Sequence, residues 1–487
     1  MKPSENKKAL VIGAGPAGLT AALELLRRST LDVAVIERDL VVGGLAKTVE
    51  FKGCRYDIGP HHFITESDHV AKWWAEIAEG DFFEHKRFTR IFYKKHFFNY
   101  PLDPVNVIRG LSIFGCLRSI ASYAWIRMFP IEEVRSFEDW VSNKFGRHLF
   151  SIFFKTYTEK VWGIPCNTIS ADWAAQRIKG FSLSSAIFYA FFGRFFTKNK
   201  PRTLSDVFHY PALGAGSFWN KVAAKIKTFN NASIETGRSI ARIKHDGKRI
   251  TYMLTQSLAD AERDVMTDFE RHDADYFLST MPLKKLILSL DPLPPAVVVN
   301  AAKALRYRGL ITVNLIIDKM HVSPDHWIYV HEKSVRMGRI GNMNNFSLKM
   351  VDDPTKHTAL SLEYFSYVDE PFWHKPDHEL FELARHELDK IGMVRRSAVL
   401  DGMVLRTPEA YPLYDKNYKE HLTCVLDYLK QFENLYLMGR NGMHRYNNMD
   451  VAMLSAMHVV DELLAQENGT GVTPQRANAA QVEMMGL

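Results

Sequence analysis

Six residues near the N-terminus, Gly13-Ala14-Gly15-Pro16-Ala17-Gly18, constrain this chain more than any other stretch. They end an apolar run, Ala9 to Gly13, that reads as a buried strand. They open a predicted helix, Pro16 to Arg28, with Leu19, Leu23 and Leu26 on one side. Val33 to Glu37 is the next strand, and the three together make a βαβ unit. Each glycine has a physical task in such a unit. Gly13 permits the tight turn, Gly15 lets a pyrophosphate approach the backbone, and Gly18 lets the helix pack on the strand. The free amides and dipole of the helix start then face phosphate charge. Glu37 stands nineteen residues beyond Gly18, where a carboxylate accepts the ribose hydroxyls. The unit predicts a site for the ADP half of a dinucleotide.

At 487 residues the chain exceeds one core and predicts two or three lobes. After Gly44 the pattern becomes irregular. Phe88 to Tyr100 reads as a hairpin, and Val134 to Tyr157 and Ala171 to Phe192 read as helices of a separate lobe. Strands return at Ile234 to Ile240, Ile243 to Leu254 and Ala274 to Leu278, the last followed by the turn Thr280-Met281-Pro282. Leu310 to Asp318 and Thr358 to Tyr367 are strands of a further lobe, and Asp377 to Gly392 is an amphipathic helix. Leu435 to Gly439 is a short buried strand before the helix Asp450 to Leu464. The cofactor domain is therefore expected in discontinuous pieces with two insertions, and ligands favour the crevices between such lobes.

Three segments together resemble the flavoproteins of the amine-oxidase superfamily. Glu37-Arg38 is followed by Gly43-Gly44-Leu45-Ala46, a second glycine pair that lets the chain run close to a diphosphate and ribityl chain. Ala274 to Pro282 resembles that superfamily's third common segment. Asn434 to Gly439, with Arg440, resembles the strand and glycine turn that close over the flavin. The resemblance implies non-covalent FAD, with Gly13, Gly15, Gly18, Glu37, Arg38, Gly44, Leu45, His61, Gly439, Arg440 and Asn448 as its contacts. It also implies an α/β fold. The Rossmann-like FAD-binding domain is expected from residues 1–75, 206–285 and 406–465. A helical lobe is expected at 76–205, an antiparallel-sheet substrate lobe at 286–405, and a disordered tail at 466–487.

Other motifs resemble UDP-galactopyranose mutases. Gly59-Pro60-His61-His62-Phe63-Ile64-Thr65 resembles their GPHxFxT segment beside the flavin ring, with His61 matching the family's histidine. Tyr157-Thr158-Glu159-Lys160-Val161-Trp162-Gly163 resembles their YTEKxWG, so Phe153, Tyr157 and Trp162 fall where base-stacking rings lie. Arg177 and Tyr446 match residues near the substrate diphosphate, and Arg308 is what remains of an arginine pair. His61, Arg177 and Tyr446 are on this reading the catalytic residues, and Phe153, Tyr157, Trp162, Arg177, Arg308 and Tyr446 the substrate contacts. The departures are Asn448 for an acid, Met443 or His444 for a tyrosine, and Ile311 for a second arginine. Tyr210 to Trp219, Asp325 to Leu388 and Leu405 to Tyr414 instead resemble the protoporphyrinogen-oxidase branch.

Three functions follow. One is an oxidoreductase that takes a hydride from a C–N or C–C bond, the cofactor supplying the chemistry. Another is a mutase acting on a nucleotide-linked or lipid-linked sugar. The third is a flavin-binding carrier without turnover. The altered diphosphate-binding set favours the first. No HExxH, GxSxG or paired-carboxylate pattern supports metal or serine chemistry, and no metal site is expected. The net charge of +7 is spread along the chain with no nucleic-acid arm. Cys54, Cys116, Cys166 and Cys424 are far apart, which predicts free thiols in a reducing compartment. The polar Met1 to Lys8 stretch predicts no signal peptide and, with the thiols, a cytoplasmic protein. Val107 to Phe129 is apolar but interrupted by Arg109, Arg118 and Arg127. Phe181 to Phe196 is too short to span a bilayer, and reads as a buried helix or as a lid that touches a membrane or greasy substrate.

Overall fold

The computed structural model describes residues 6–100, 102, 104–173, 207–263 and 268–469. Arg177, the Phe181–Phe196 stretch and the tail from residue 470 lie outside the described residues.

Five parallel strands form the central sheet, in the spatial order Leu435–Leu437, Tyr276–Ser279, Lys8–Ile12, Asp32–Ile36 and Ala232–Glu235. Strands so far apart in sequence make one sheet, so the nucleotide domain is discontinuous, as expected. Its strands are nearly continuous apolar runs because both faces are covered. Helices Pro16–Arg28, Ala215–Ile226 and Met449–Glu467 pack on one face through Leu19, Leu23, Trp219, Met453 and Val460. The other face holds Leu10, Ile36 and Phe277 against Leu286, Val425 and Phe432.

A seven-stranded sheet forms the second body. Its order is Val399–Pro412, Tyr307–Ile317, Thr358–Ser366, Arg339–Asn342, Trp327–Val330, Thr89–Tyr93 and His96–Asn99. The expected hairpin is present, but it joins this sheet: Thr89 to Phe92 run parallel to Trp327 to Val330. The helical segment thus contributes two strands to the sheet lobe, and Val399–Pro412 runs through residue 405 without a break.

Three expected elements are corrected. The strand over Ile234 to Ile240 is the end of Ala232–Glu235 and the start of Arg238–His245, which lie in different sheets. The strand over Ile243 to Leu254 is a hairpin, Arg238–His245 with Ile250–Ser257. Asp246 turns it by accepting the amides of Lys248 and Arg249 at 2.8 and 2.7 Å. The helix over Val134 to Tyr157 breaks into Phe137–Phe145, Arg147–Phe150, a π-helical turn Ser151–Lys155 and Thr156–Trp162. The break is at Gly146, whose φ of +82° disfavours a side chain, and a Cβ there would lie 3.0 Å from the Tyr123 amide.

Candidate functional site

Four turns converge at the C-terminal edge of the parallel sheet. Gly13, at φ +97°, donates its amide to Ile36 at 2.7 Å, and a Cβ there would strike Thr280 Oγ1. Thr280 in turn gives its hydroxyl to the Ile12 carbonyl at 2.8 Å. A Cβ on Gly18 would strike the Gly13 carbonyl, so the helix packs on the turn only because the side chain is absent. Gly44, at φ +54°, faces Gly15 backbone to backbone, and its Cβ would stand 3.0 Å from Gly15 Cα. Gly439 closes the group against Ala17 and donates its amide to Ser455 at 3.0 Å. The result is a side-chain-free cradle at the start of helix Pro16–Arg28, whose N-cap Gly15 accepts no side-chain cap. That is the geometry a diphosphate requires.

Glu37 follows strand Asp32–Ile36 and meets the cradle at Ala14. It is buried, and its carboxylate accepts Ala14 N–H at 2.5 Å and Asp39 N–H at 2.8 Å. Burial raises its pKa, against the two amide bonds. Each oxygen keeps a lone pair for a hydroxyl. Arg38 is exposed, Leu45 is half-buried beside the glycine pair, and exposed Asn448 is the N-cap of helix Met449–Glu467.

A second group lies where the glycine loop at Gly59 meets the large sheet. His61 Nε2 lies 2.8 Å from the Ile58 carbonyl, so Nε2 carries the proton and Nδ1 is an acceptor. Burial, then the charges of Arg440 and Arg339, lower its pKa to about 3, and the ring is neutral. A Cβ on Gly59 would lie 3.4 Å from the Arg339 guanidinium. Arg339 grips Glu363 through two nitrogens, one at 2.7 Å from Oε1, and reaches Tyr411 Oη at 3.4 Å. Tyr411 stacks on Tyr446 with ring centres 5.6 Å apart, and Arg440 sits 4.8 Å over the Tyr446 ring. Tyr157 stacks on His331 at 5.1 Å and meets Tyr329 edge-on at 5.2 Å. Arg339 and Tyr411 both act on Tyr157 electrostatically, which ties it to the same group, although burial raises its pKa well above the ordinary range.

Of the sequence-predicted residues, the structure brings His61, Tyr157, Arg440 and Tyr446 together. Arg308 instead binds protein through all three nitrogens: the Val161 carbonyl at 3.0 Å, Glu370 at 3.1 Å and the Phe365 carbonyl at 2.9 Å. Gly163 is glycine because the Arg308 guanidinium fills the place of its side chain. Phe153 is buried against Phe98, and Trp162 is buried between Trp173 and Tyr411. Arg339, Glu363, Tyr329 and Tyr411 were not anticipated. The usable signal was Glu363, the one charged residue in the strand Thr358–Ser366, which burial obliges to find a cation. Asp57 is a similar buried carboxylate. Burial raises its pKa to about 6, and it accepts from Thr48 at 2.5 Å, Tyr210 at 2.6 Å and the Ala215 amide.

The Glu235, Glu270 and His272 ligand atoms are near enough to share a cation, but Glu270 pairs with Arg238 and His272 with Thr255 at 2.9 Å. No helix among the described residues is long and apolar enough to cross a membrane.

Comparison with known proteins agrees with this geometry. Short stretches match curated sequences. One is 44% identical over 57 residues to 1-hydroxycarotenoid 3,4-desaturase of Flavobacterium sp. (strain P99-3), covering 12% of each chain. Another is 37% identical over 75 residues to thioredoxin reductase of Bacillus subtilis (strain 168), covering 15% of this chain and 23% of that one. These matches span less than a quarter of either relative's length. Whole-chain likeness appears in solved structures. A reduced UDP-galactopyranose mutase superimposes with a TM-score of 0.78 at 21% identity, covering 97% of this chain and 98% of that one. A protoporphyrinogen oxidase candidate from Exiguobacterium sp. 255-15 gives 0.70 at 15%, covering 95% and 100%. A redesigned putrescine oxidase gives 0.61 at 14%, covering 95% and 99%. At these identities the likeness establishes the fold. The model for flavin-containing amine oxidoreductases matches residues 16–464, which run from the first helix of the cradle to the last helix of the same domain, and this chain belongs to that family.

Proposed function

We propose that the chain is an oxidoreductase that takes a hydride from a C–N or C–C bond of a small molecule held between the glycine cradle and the tyrosine-lined sheet. FAD is the cofactor of the family, and when bound it supplies the two-electron acceptor. The residues present fit it: Gly13, Gly18, Gly44 and Gly439 leave backbone open where a Cβ would crowd its neighbours, Gly15 faces Gly44 backbone to backbone, and Glu37 follows the second strand. Nothing in the cradle asks for a covalent link.

The chain's own groups orient the substrate and exclude water. Tyr157, Tyr411 and Tyr446 supply an aromatic wall, and the neutral His61 offers Nδ1 as a hydrogen-bond acceptor. A ring with a pKa of about 3 does not act as a general acid near neutrality, so its role is positioning by hydrogen bond.

Among the described residues, the observation that carries the redox reading is the state of the arginines beside the site. Arg308 is spent on Val161, Phe365 and Glu370, Arg339 is neutralised by Glu363, and Arg440 donates to the carbonyls of Ala410 and Asn447. A diphosphate would have to displace protein acceptors from these groups, which a neutral amine or hydrocarbon need not do. A second reading, a mutase on a nucleotide-linked or lipid-linked sugar, draws support from Tyr157 and Tyr446 flanking the Arg339–Tyr411 pair. The test uses holoenzyme. Under the redox reading, UDP and UDP-hexoses leave the reduced enzyme's spectrum unchanged, while a panel of amines and porphyrinogens bleaches the oxidised flavin. Tight UDP binding with isomerisation of a UDP-hexose would refute it. The four unpaired cysteines suit a reducing compartment such as the cytoplasm.

A further inference from the structure

The helix Ile113–Met128 carries the largest run of exposed apolar side chains among the described residues. Phe114 is 84% exposed and Ile113 78%, and Leu117, Ile120, Trp125, Met128 and the following Phe129 are each more than half exposed. At about 100° per residue, Ile113, Leu117, Ile120, Ala124 and Met128 form one stripe. Phe114, Ala121 and Trp125 widen it on one side. The opposite side of the helix is the inward one. There Ser119 and Ile126 are buried, and Ser122 accepts the His148 amide at 3.1 Å.

Charge gives this face its partner. By the same angular spacing, the exposed Arg118 and Arg127 fall at the two margins of the apolar arc. No Asp or Glu occurs from residue 104 to 131, and the first carboxylates, Glu132 and Glu133, lie beyond the helix. Basic charge continues off the helix, because Arg118 and Lys94 both act on His148. An apolar centre with arginines on both edges is the pattern of a helix lying in a bilayer interface, its rings among the acyl chains and its cations at anionic headgroups. The helix, at 16 residues, is not long and apolar enough to cross.

We propose that Ile113–Met128 docks this protein on the surface of an anionic lipid bilayer. The proposal goes beyond the redox reading and does not depend on it. Gly146 brings the backbone at Tyr123 against the helical run that carries Tyr157, so the docked helix belongs to the lobe that lines the site.

The test is co-sedimentation of the flavin-loaded protein with vesicles of phosphatidylcholine alone or in equal parts with phosphatidylglycerol. Binding is expected to the mixed vesicles and to weaken with salt. The triple variant Phe114→Gln/Leu117→Gln/Trp125→Gln, altered only at exposed positions, should keep its flavin and melting point and lose more than about tenfold in vesicle affinity. Arg118→Gln and Arg127→Gln should each lose roughly fivefold on mixed vesicles. Failure to bind vesicles overturns the proposal, as does binding that the triple variant retains. Self-association without vesicles, abolished in the triple variant, would overturn it by assigning the face to a second copy.

Discussion

Replacing Glu37 by Gln tests the nucleotide site at its most determined point. The two carboxylate oxygens divide two backbone donors between them, Oε2 taking the Ala14 amide and Oε1 the Asp39 amide. A carboxamide has one oxygen, so its NH2 must face one of these buried N–H groups. The orphaned donor costs about 1–3 kcal/mol even without cofactor. With ribose bound, a charged acceptor for its hydroxyls is also lost. Hydrogen bonds to charged groups are worth about 1.5–3 kcal/mol, so FAD should bind roughly 10- to 100-fold more weakly. Two measurements separate these effects: the melting point of the apoprotein and the Kd of FAD from fluorescence quenching. Both should worsen. A Kd within about twofold of the parent's would refute the assignment, because a carboxamide cannot reproduce this acceptor pattern.

Two further predictions concern the other end of the site. Glu363→Gln, or Arg339→Met, should each destabilise by about 3–5 kcal/mol in urea unfolding, because each leaves a buried charge or its partner uncompensated, and the double change to Met at both positions should recover part of the loss; single losses under about 1 kcal/mol would contradict this. His61 and His62 are each held at about 3 from an ordinary 6.5, so as pH falls the unfolded chain takes up their protons before the folded one does. Their contribution is complete above the unfolded value and falls by about 1.4 kcal/mol per pH unit per ring towards the folded one. Stability should therefore drop by about 3 kcal/mol between pH 6.5 and 5 from this pair, and His61→Gln should halve that component; an unchanged slope in the variant would contradict it.

The glycine cradle was legible because its information is local. Gly13, Gly15 and Gly18 sit within one turn of chain, and Glu37 lies one βαβ unit away. The tyrosine wall was only half legible, since it is assembled by strand register. Arg339 lies opposite Glu363 between neighbouring strands, and Tyr411 pairs with Arg308 two strands further on, distances that no local pattern encodes. Arg308 shows what a motif leaves open: its surroundings suggested a substrate arginine, and in the structure it binds Val161, Phe365 and Glu370 where Gly163 lacks a side chain. Phe153 and Trp162 follow the same rule, because a ring's sequence position does not tell a platform from a core filler. The helix break at Gly146 was written in its glycine, but only the approach of Tyr123 gives that glycine its reason.

The most direct test of the account is the flavin content of the purified protein, before and after incubation with FAD. The purified protein should be yellow, with FAD bound in equimolar amount and fully released by acid precipitation. A protein that stays colourless after incubation would show that the glycine turns at residues 13, 44 and 439 frame no flavin.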